Sequence, residues 1–168
     1  SDPTFSDVVR GITKVLYSDS TAGESTAPSF GYINSVLSNG INVNSGGTTE
    51  ANFNKNGQSY VAWNWKAGGT AVTNTAGSIT SQVSANTTSG FSVVTYTGNA
   101  TISTIGHGIG VAPSMIIVKG RTNAVDWQVY HTSLGVNYAA LFNSSAVPNN
   151  ITSYWGSSSP TSSVFGVN

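Results

Sequence analysis

The sequence predicts an all-β fold built around an antiparallel sheet core, and three observations carry that reading. Between Gly90 and His131 three short runs rich in β-branched and aromatic residues, Phe91 to Thr97, Met115 to Lys119 and Trp127 to His131, are separated by stretches loaded with Gly, Asn and Pro. Ser, Thr, Asn and Gly fill about half of all positions, a composition that suits strands and turns and supplies few helix formers. Four Trp, seven Tyr and six Phe fall within or beside alternating runs, which favours a packed sheet protein over a disordered polar chain.

In chain order, Val8 to Tyr17 (VVRGITKVLY) reads as a strand bent at Gly11, since glycine inside a short apolar run marks a bulge or bend. The following SDSTAGESTAPSFG is loop by composition. Ile33 to Leu37 and Ile41 to Val43 bracket Ser38-Asn39-Gly40, and an Asn-Gly pair between apolar runs predicts a hairpin with its tight turn at Asn39-Gly40. Ser45 to Gln58 reads as a polar loop. Tyr60 to Lys66 (YVAWNWK) alternates with a period of two, placing Val61, Trp63 and Trp65 on one face, and predicts a core strand. Ala67 to Gly77 reads as a flexible joint. Ile79 to Ala85 is a weaker strand; Ala139 to Phe142 is another, the tail from Ser153 to Ser163 is loop, and Val164 to Val167 closes the chain as a short strand.

With 168 residues the chain fits one domain, or one domain with part of a neighbour, and can bury roughly 70% of its unfolded surface. Charged residues are only 7% of the chain, against about 25% in an average soluble domain, so solubility comes from neutral polar groups. Six acidic and six basic residues balance to a formal charge of zero, and no basic run is present to neutralise phosphates or bind anionic lipid. Nucleic acid and membrane insertion are therefore not expected, and no stretch has the length of a membrane span. The absence of cysteine excludes disulfides, thiolate nucleophiles and cysteine-ligated zinc. The N-terminus has no signal-peptide pattern and opens without Met, as expected of a processed chain or a fragment.

A shift of 124 residues places Asp2 on Asp126, Gly11 on Gly135, Ser38 on Ser162, Ile41 on Phe165, Val43 on Val167 and Asn44 on Asn168; with a slip of one residue, Leu16-Tyr17 falls on Leu141-Phe142 and Ser20 on Ser145. On this reading residues 1–69 end one repeat, 70–77 form a Gly/Thr-rich joint, and 78–168 begin the next. The second copy stops before its counterpart of YVAWNWK, which would leave a sheet edge unpaired. The two parts are expected to combine in one composite sandwich, or to take the closing strand from a neighbour.

The ordered blocks YVAWNWKAGG, GSITSQVSAN, GFSVVTYTGN, GHGIGVAPSMIIVK and DWQVYHTSLG resemble a domain that recurs, often in tandem, in tail-fibre and other virion-surface proteins of marine cyanophages and related tailed phages. The resemblance covers most of residues 58–145 and is looser over 8–24 and 151–168. It implies a laminin-G or concanavalin-like fold, a two-sheet antiparallel β-sandwich of jelly-roll type. It further implies a structural or adhesive role at the virion surface, in a homo-oligomer for which a trimer is favoured. It carries no catalytic residues.

Candidate chemistry is sparse. Asp126, His131 and Ser133 have the residue types of a nucleophilic triad, but an offset of five sends Asp126 and His131 to opposite strand faces, and no nucleophile elbow surrounds Ser133. His107 lies in the Gly-rich GHGIG, where backbone amides can cradle an anion, yet no helix start follows and a loop shaping the sheet is the simpler reading. His107 and His131 are the only histidines, and with scattered carboxylates they offer no zinc spacing; backbone and Asn oxygens could serve calcium. No cofactor is expected. Glycoside hydrolysis needs two carboxyl groups about 5 to 10 Å apart, whereas Glu24 and Glu50 fall in separate loops, and Asp2, Asp7 and Asp19 cluster near the N-terminus.

Exposed aromatic faces beside neutral polar groups are what sugar-binding surfaces use. Tyr154 and Trp155 in the polar loop NNITSYWGSSS are the best placed for such contact, although a loop Trp also plugs sandwich ends. Trp127 and Trp65 follow, on strand faces. The N-x-S/T triplets at Asn86, Asn99, Asn143 and Asn150 are expected from composition alone. The function expected is a non-enzymatic module for host-surface or glycan contact. Its alternatives are a purely structural capsid-decoration or filament subunit assembled by strand complementation, and a polysaccharide depolymerase.

Overall fold

A computed structural model of the chain describes residues 2–47 and 53–168. The fold is all-β, with no helix among the described residues and several antiparallel sheets in an arrangement consistent with a β-sandwich. Five sheets are formed among the described residues. The first joins β1 (Thr4–Phe5), β2 (Lys14–Tyr17) and β3 (Ser25–Thr26) around a central β2. The second is the hairpin of β4 (Tyr32–Leu37) and β5 (Gly40–Asn44). The third sets β6 (Val72–Asn74), β7 (Ser81–Asn86) and β8 (Phe91–Tyr96) side by side. β9 (Ser103–Gly106) pairs with β14 (Val164–Val167), and β10 (Met115–Val118), β11 (Gln128–His131), β12 (Tyr138–Leu141) and β13 (Asn149–Asn150) complete a four-stranded sheet.

The hairpin forms, but with its turn one residue earlier than the Asn-Gly pair suggests. Leu37 pairs with Gly40, so Ser38 and Asn39 make the turn and Gly40 begins β5. Neither turn residue nor Gly40 adopts positive φ, so the conformational freedom that places glycine inside a primed turn is not used, and a register shift between Ile33 and Ser35 takes up the irregularity.

The glycine-rich stretch expected to be a joint is instead a place of close packing. It contains β6, and a Cβ on Gly68 would lie 2.0 Å from the Ala85 carbonyl oxygen, while one on Gly77 would lie 2.2 Å from that of Thr104. Glycine is there because two backbones touch. Replacing Gly68 by Ala is expected to destabilise the fold by about 1–3 kcal/mol through overpacking, to be read as a lowered urea midpoint. An unchanged midpoint would mean that Ala85 can move aside freely.

At an offset of 124 residues the backbone pairing recurs. Thr4 opposite Tyr17 and Phe5 opposite Leu16 reappear as Gln128 opposite Leu141 and Val129 opposite Ala140. Lys14 opposite Thr26 and Val15 opposite Ser25 reappear as Tyr138 opposite Asn150 and Ala139 opposite Asn149. Bonds outside the ladders repeat as well. Ser18 N donates to Pro3 O at 3.0 Å and Phe142 N to Trp127 O at 3.1 Å; Ala27 N donates to Thr13 O and Ile151 N to Asn137 O, both at 2.9 Å. The side chains of Asp7 and His131 each accept from the backbone N–H two residues on, at 3.0 and 3.2 Å. No slip is needed, which corrects the sequence alignment of Leu16-Tyr17 with Leu141-Phe142. Backbone pairing fixes the equivalence where side-chain similarity misleads by one position.

Two differences separate the copies. β10 lies beside β11, whereas β1 pairs with β2 alone among the described strands. The counterpart of β14 is β5, which pairs with β4 in place of a β9-type strand. The copies also touch. Phe5 of the first meets Trp127 and Phe142 of the second at ring distances of 5.3 and 5.9 Å, and Glu24 N donates to Arg121 O at 2.7 Å.

Tyr130, Ala139 and Trp155 form one cluster with Ile116, Val118, Val136 and Tyr154 packed against it. Ile105, on β9, is fully buried and held from both sides: β14 pairs with β9, and Ile79 N donates to Thr104 O at 3.1 Å on the other side.

Candidate functional site

The residues expected to form a core strand are the most exposed aromatic surface of the molecule. Val61, Trp63 and Trp65 are 74%, 76% and 58% exposed, and Tyr60 to Gly68 belongs to no strand. The alternation is genuine, but a strand also needs a partner edge, and no described strand pairs with residues 61–65. The segment is anchored at its end, where Lys66 O accepts from Asn86 Nδ2 and Ser89 Oγ, each at 3.2 Å, and Gly69 O accepts from Ser84 Oγ at 2.7 Å. Trp65 stacks on Phe91 with ring centroids 6.1 Å apart; Trp63 makes no ring contact with any described residue. A shallow, open depression of about 370 Å³ at the anchor is lined by Lys66 to Gly69 and Ala85 to Thr87, a shape for surface contact and not for enclosing a small molecule.

The aromatic residues expected to make contacts go the other way. Trp155 is 2% exposed, its Nε1 donating to Tyr138 O at 3.0 Å and its ring edge-on to Tyr130 at 5.7 Å. It is the plug of a cluster, because a bulky indole whose N–H finds a carbonyl is more stable buried than in water. Trp127 is 5% exposed and donates to Tyr17 O and Ser20 O at 2.9 and 3.1 Å. Tyr154 is half-buried against the same cluster as Trp155. Neither Trp127 nor Trp155 is available to a ligand.

Polar side chains serve the scaffold. Asp126 accepts from Asn143 Nδ2 at 2.9 Å, while His131 Nδ1 accepts from the Ser133 backbone, so Asp126, His131 and Ser133 do not form a relay. His107 is buried, accepts at Nδ1 from Ile109 N at 3.3 Å and donates from Nε2 to Thr161 O at 3.1 Å. Burial pushes its pKa below the ordinary 6.5, although the bond to Thr161 acts in the opposite sense, so the ring is neutral and fixes the loop to the end of the chain. Asn86, Asn99 and Asn143 accept from nearby backbone or hydroxyl groups, and Asn150 donates to Tyr138 Oη; these are turn and ladder residues.

The densest charge cluster was not foreseen. Glu24 accepts from Arg10 Nη1 at 3.0 Å and from Arg121 Nε and Nη2, both at 2.9 Å, while Arg10 Nε also pairs with Asp7. Burial alone would push the Glu24 carboxyl up, but the hydrogen bonds and charges of Arg121 and Arg10 outweigh it and hold the carboxyl below its ordinary 4.5. Its members stand 97 residues apart in sequence, a separation no local pattern reports. Glu50 lies outside the described residues. Among the described residues no group of three or more His, Cys, Asp or Glu side chains is placed to hold a metal ion, and no helix is long and apolar enough to cross a membrane.

Fold and site together define an antiparallel all-β protein with an internal structural repeat and an exposed aromatic segment. The chain belongs to the family described as a domain of unknown function, DUF7483, whose model matches residues 1–168. Comparison with curated proteins and with solved structures finds no match.

Proposed function

We propose that this chain is a non-enzymatic structural module of a virion-surface or other extracellular fibre, joining copies through strand complementation. The observation that carries the reading is the segment Val61 to Lys66, which belongs to no strand among the described residues, with Val61, Trp63 and Trp65 turned to solvent. A contiguous apolar stripe of this kind is a protein-contact surface more often than a solvated one, and an extended segment adds readily to a sheet edge of another chain. The pairing that recurs at 124 residues and the charge-poor, net-neutral composition support the fibre setting, as does the resemblance to phage tail-fibre domains, which also implies the jelly-roll connectivity and a homotrimer. The test is the mass of the particle by light scattering. Wild-type protein is expected as an oligomer, and the double substitution Trp63→Ser with Trp65→Ser as a monomer whose stability changes by no more than about 0.5 kcal/mol. A wild-type monomer at assembly concentrations would overturn the reading.

Host-surface glycan contact is a second reading, favoured by the same exposed indoles flanked by Gln58, Ser59 and Asn64. On a glycan array, binding that survives in wild type and disappears in the double variant supports it; an array with no signal from an assembled wild-type particle removes it.

A further inference from the structure

Asparagine stands before glycine at two places in the chain, Asn39-Gly40 and Asn56-Gly57, and all four residues are exposed. In such a pair the glycine nitrogen can reach the side-chain carbonyl carbon of the asparagine, because no Cβ on the following residue blocks the approach. What separates the two pairs is where that nitrogen is held. Gly40 is opposite Leu37 at the mouth of the β4–β5 hairpin, and the pair that closes a two-residue turn is hydrogen-bonded, so the Gly40 N–H belongs to the ladder. Asn56 and Gly57 are instead the central residues of a turn closed by Gln58 N donating to Lys55 O at 3.2 Å. Gly57 has a φ of 76° and Asn56 is not among the positive-φ residues, the type II pattern, in which the glycine N–H has no acceptor inside the turn. Neither Gly57 N nor the Asn56 side chain has a hydrogen-bond partner among the described residues. Nothing packs over Gly57, and glycine accepts φ of either sign, so the central peptide can turn over without opening the turn.

We propose that Asn56 is a site of self-modification, converted through a cyclic imide to aspartate and isoaspartate while Asn39 is protected. The Gly57 nitrogen gives up its proton to solvent base and attacks Asn56 Cγ. The new N–Cγ bond closes a five-membered ring, and the Cγ–Nδ2 bond breaks to release ammonia. Water then adds to one of the two imide carbonyls. Breaking the N–Cγ bond gives aspartate, and breaking the original peptide bond gives isoaspartate, with the main chain rerouted through Cβ. No oxidation state changes. Either product puts a new negative charge into a chain whose formal charges balance to zero. It does so in the turn whose Lys55 N donates to Tyr60 Oη at 3.0 Å, beside the exposed Val61, Trp63 and Trp65. The site is independent of how that aromatic segment is used.

The full chain is aged in warm, mildly alkaline buffer, and both positions are followed by peptide mapping, with hydroxylamine cleavage reporting the imide and isoaspartyl methyltransferase labelling reporting isoaspartate. In the folded protein conversion at Asn56 is expected to be faster than at Asn39 by on the order of tenfold or more, since Gly40 must first leave its ladder by local opening. In concentrated urea the two rates are expected to converge, because neither nitrogen is then held. Asn56→Gln, whose longer side chain does not close the five-membered ring, is expected to abolish the fast phase and the acidic shift on isoelectric focusing. Equal rates in the folded chain, a faster Asn39, no conversion at either position, a rate ratio that persists undiminished in urea, or a fast phase that survives Asn56→Gln would each overturn the proposal.

Discussion

Trp127→Ala is expected to lower the unfolding free energy by about 3–5 kcal/mol, the range for removing a buried Trp or Phe side chain. The side chain is 5% exposed and its ring packs against those of Phe5 and Phe142, at 5.3 and 6.2 Å. Its Nε1–H is shared by the carbonyls of Tyr17 and Ser20, which would lose a donor as well as the neighbouring ring. The position is an interface feature and not a repeat feature, because its counterpart in the first copy is Pro3. Trp127→Phe separates the two contributions: it keeps most of the ring contact and is expected to cost only about 1–3 kcal/mol, the penalty for leaving polar groups unpaired. Trp63→Ala, by contrast, is expected to change stability by less than about 0.5 kcal/mol. Urea unfolding of the three variants checks the order. Equal losses at positions 127 and 63 would mean that the first sheet does not close on Trp127.

That order inverts what the residue pattern suggests, and the reason is physical. Alternation reports which side chains share a face and says nothing about whether another strand lies alongside, so Trp63 and Trp65 read as core. Polar neighbours report the local loop and not what folds over it, so Trp155 in SYWGSSS reads as exposed. Where a segment's own residues decide the outcome, the reading holds: β8, β10 and β14 lie where β-branched and aromatic runs place them. The two-residue strands β1, β3 and β13 exist only through their partners, and β9 stands among glycines that obscure Ile105. The offset of 124 residues at which the pairing recurs was legible in scattered identities such as Gly11 and Gly135. Its register was not, since it is stored in backbone pairing across positions as unlike as Asp7 and His131.

The same separation between local pattern and distant partner governs Glu24. Glu24→Gln is expected to destabilise the protein by about 3 kcal/mol, the lower end of the range for breaking a buried ion pair. Arg10 and Glu24 are nearly buried, whereas Arg121 is half-exposed and loses less when the carboxylate goes. Asp7 continues to neutralise Arg10, which keeps the effect from being larger. Since the folded Glu24 carboxyl titrates below its ordinary 4.5, the unfolded chain takes up the proton first as pH falls. The stabilisation is therefore complete above about 4.5 and is lost as pH drops through the lower, folded value. Wild type and Glu24→Gln are accordingly expected to differ most above pH 4.5 and to converge below it. A gap that persisted undiminished at low pH would show that the carboxylate's charge is not what holds the first sheet to Arg121, and that the shape of the side chain does so instead.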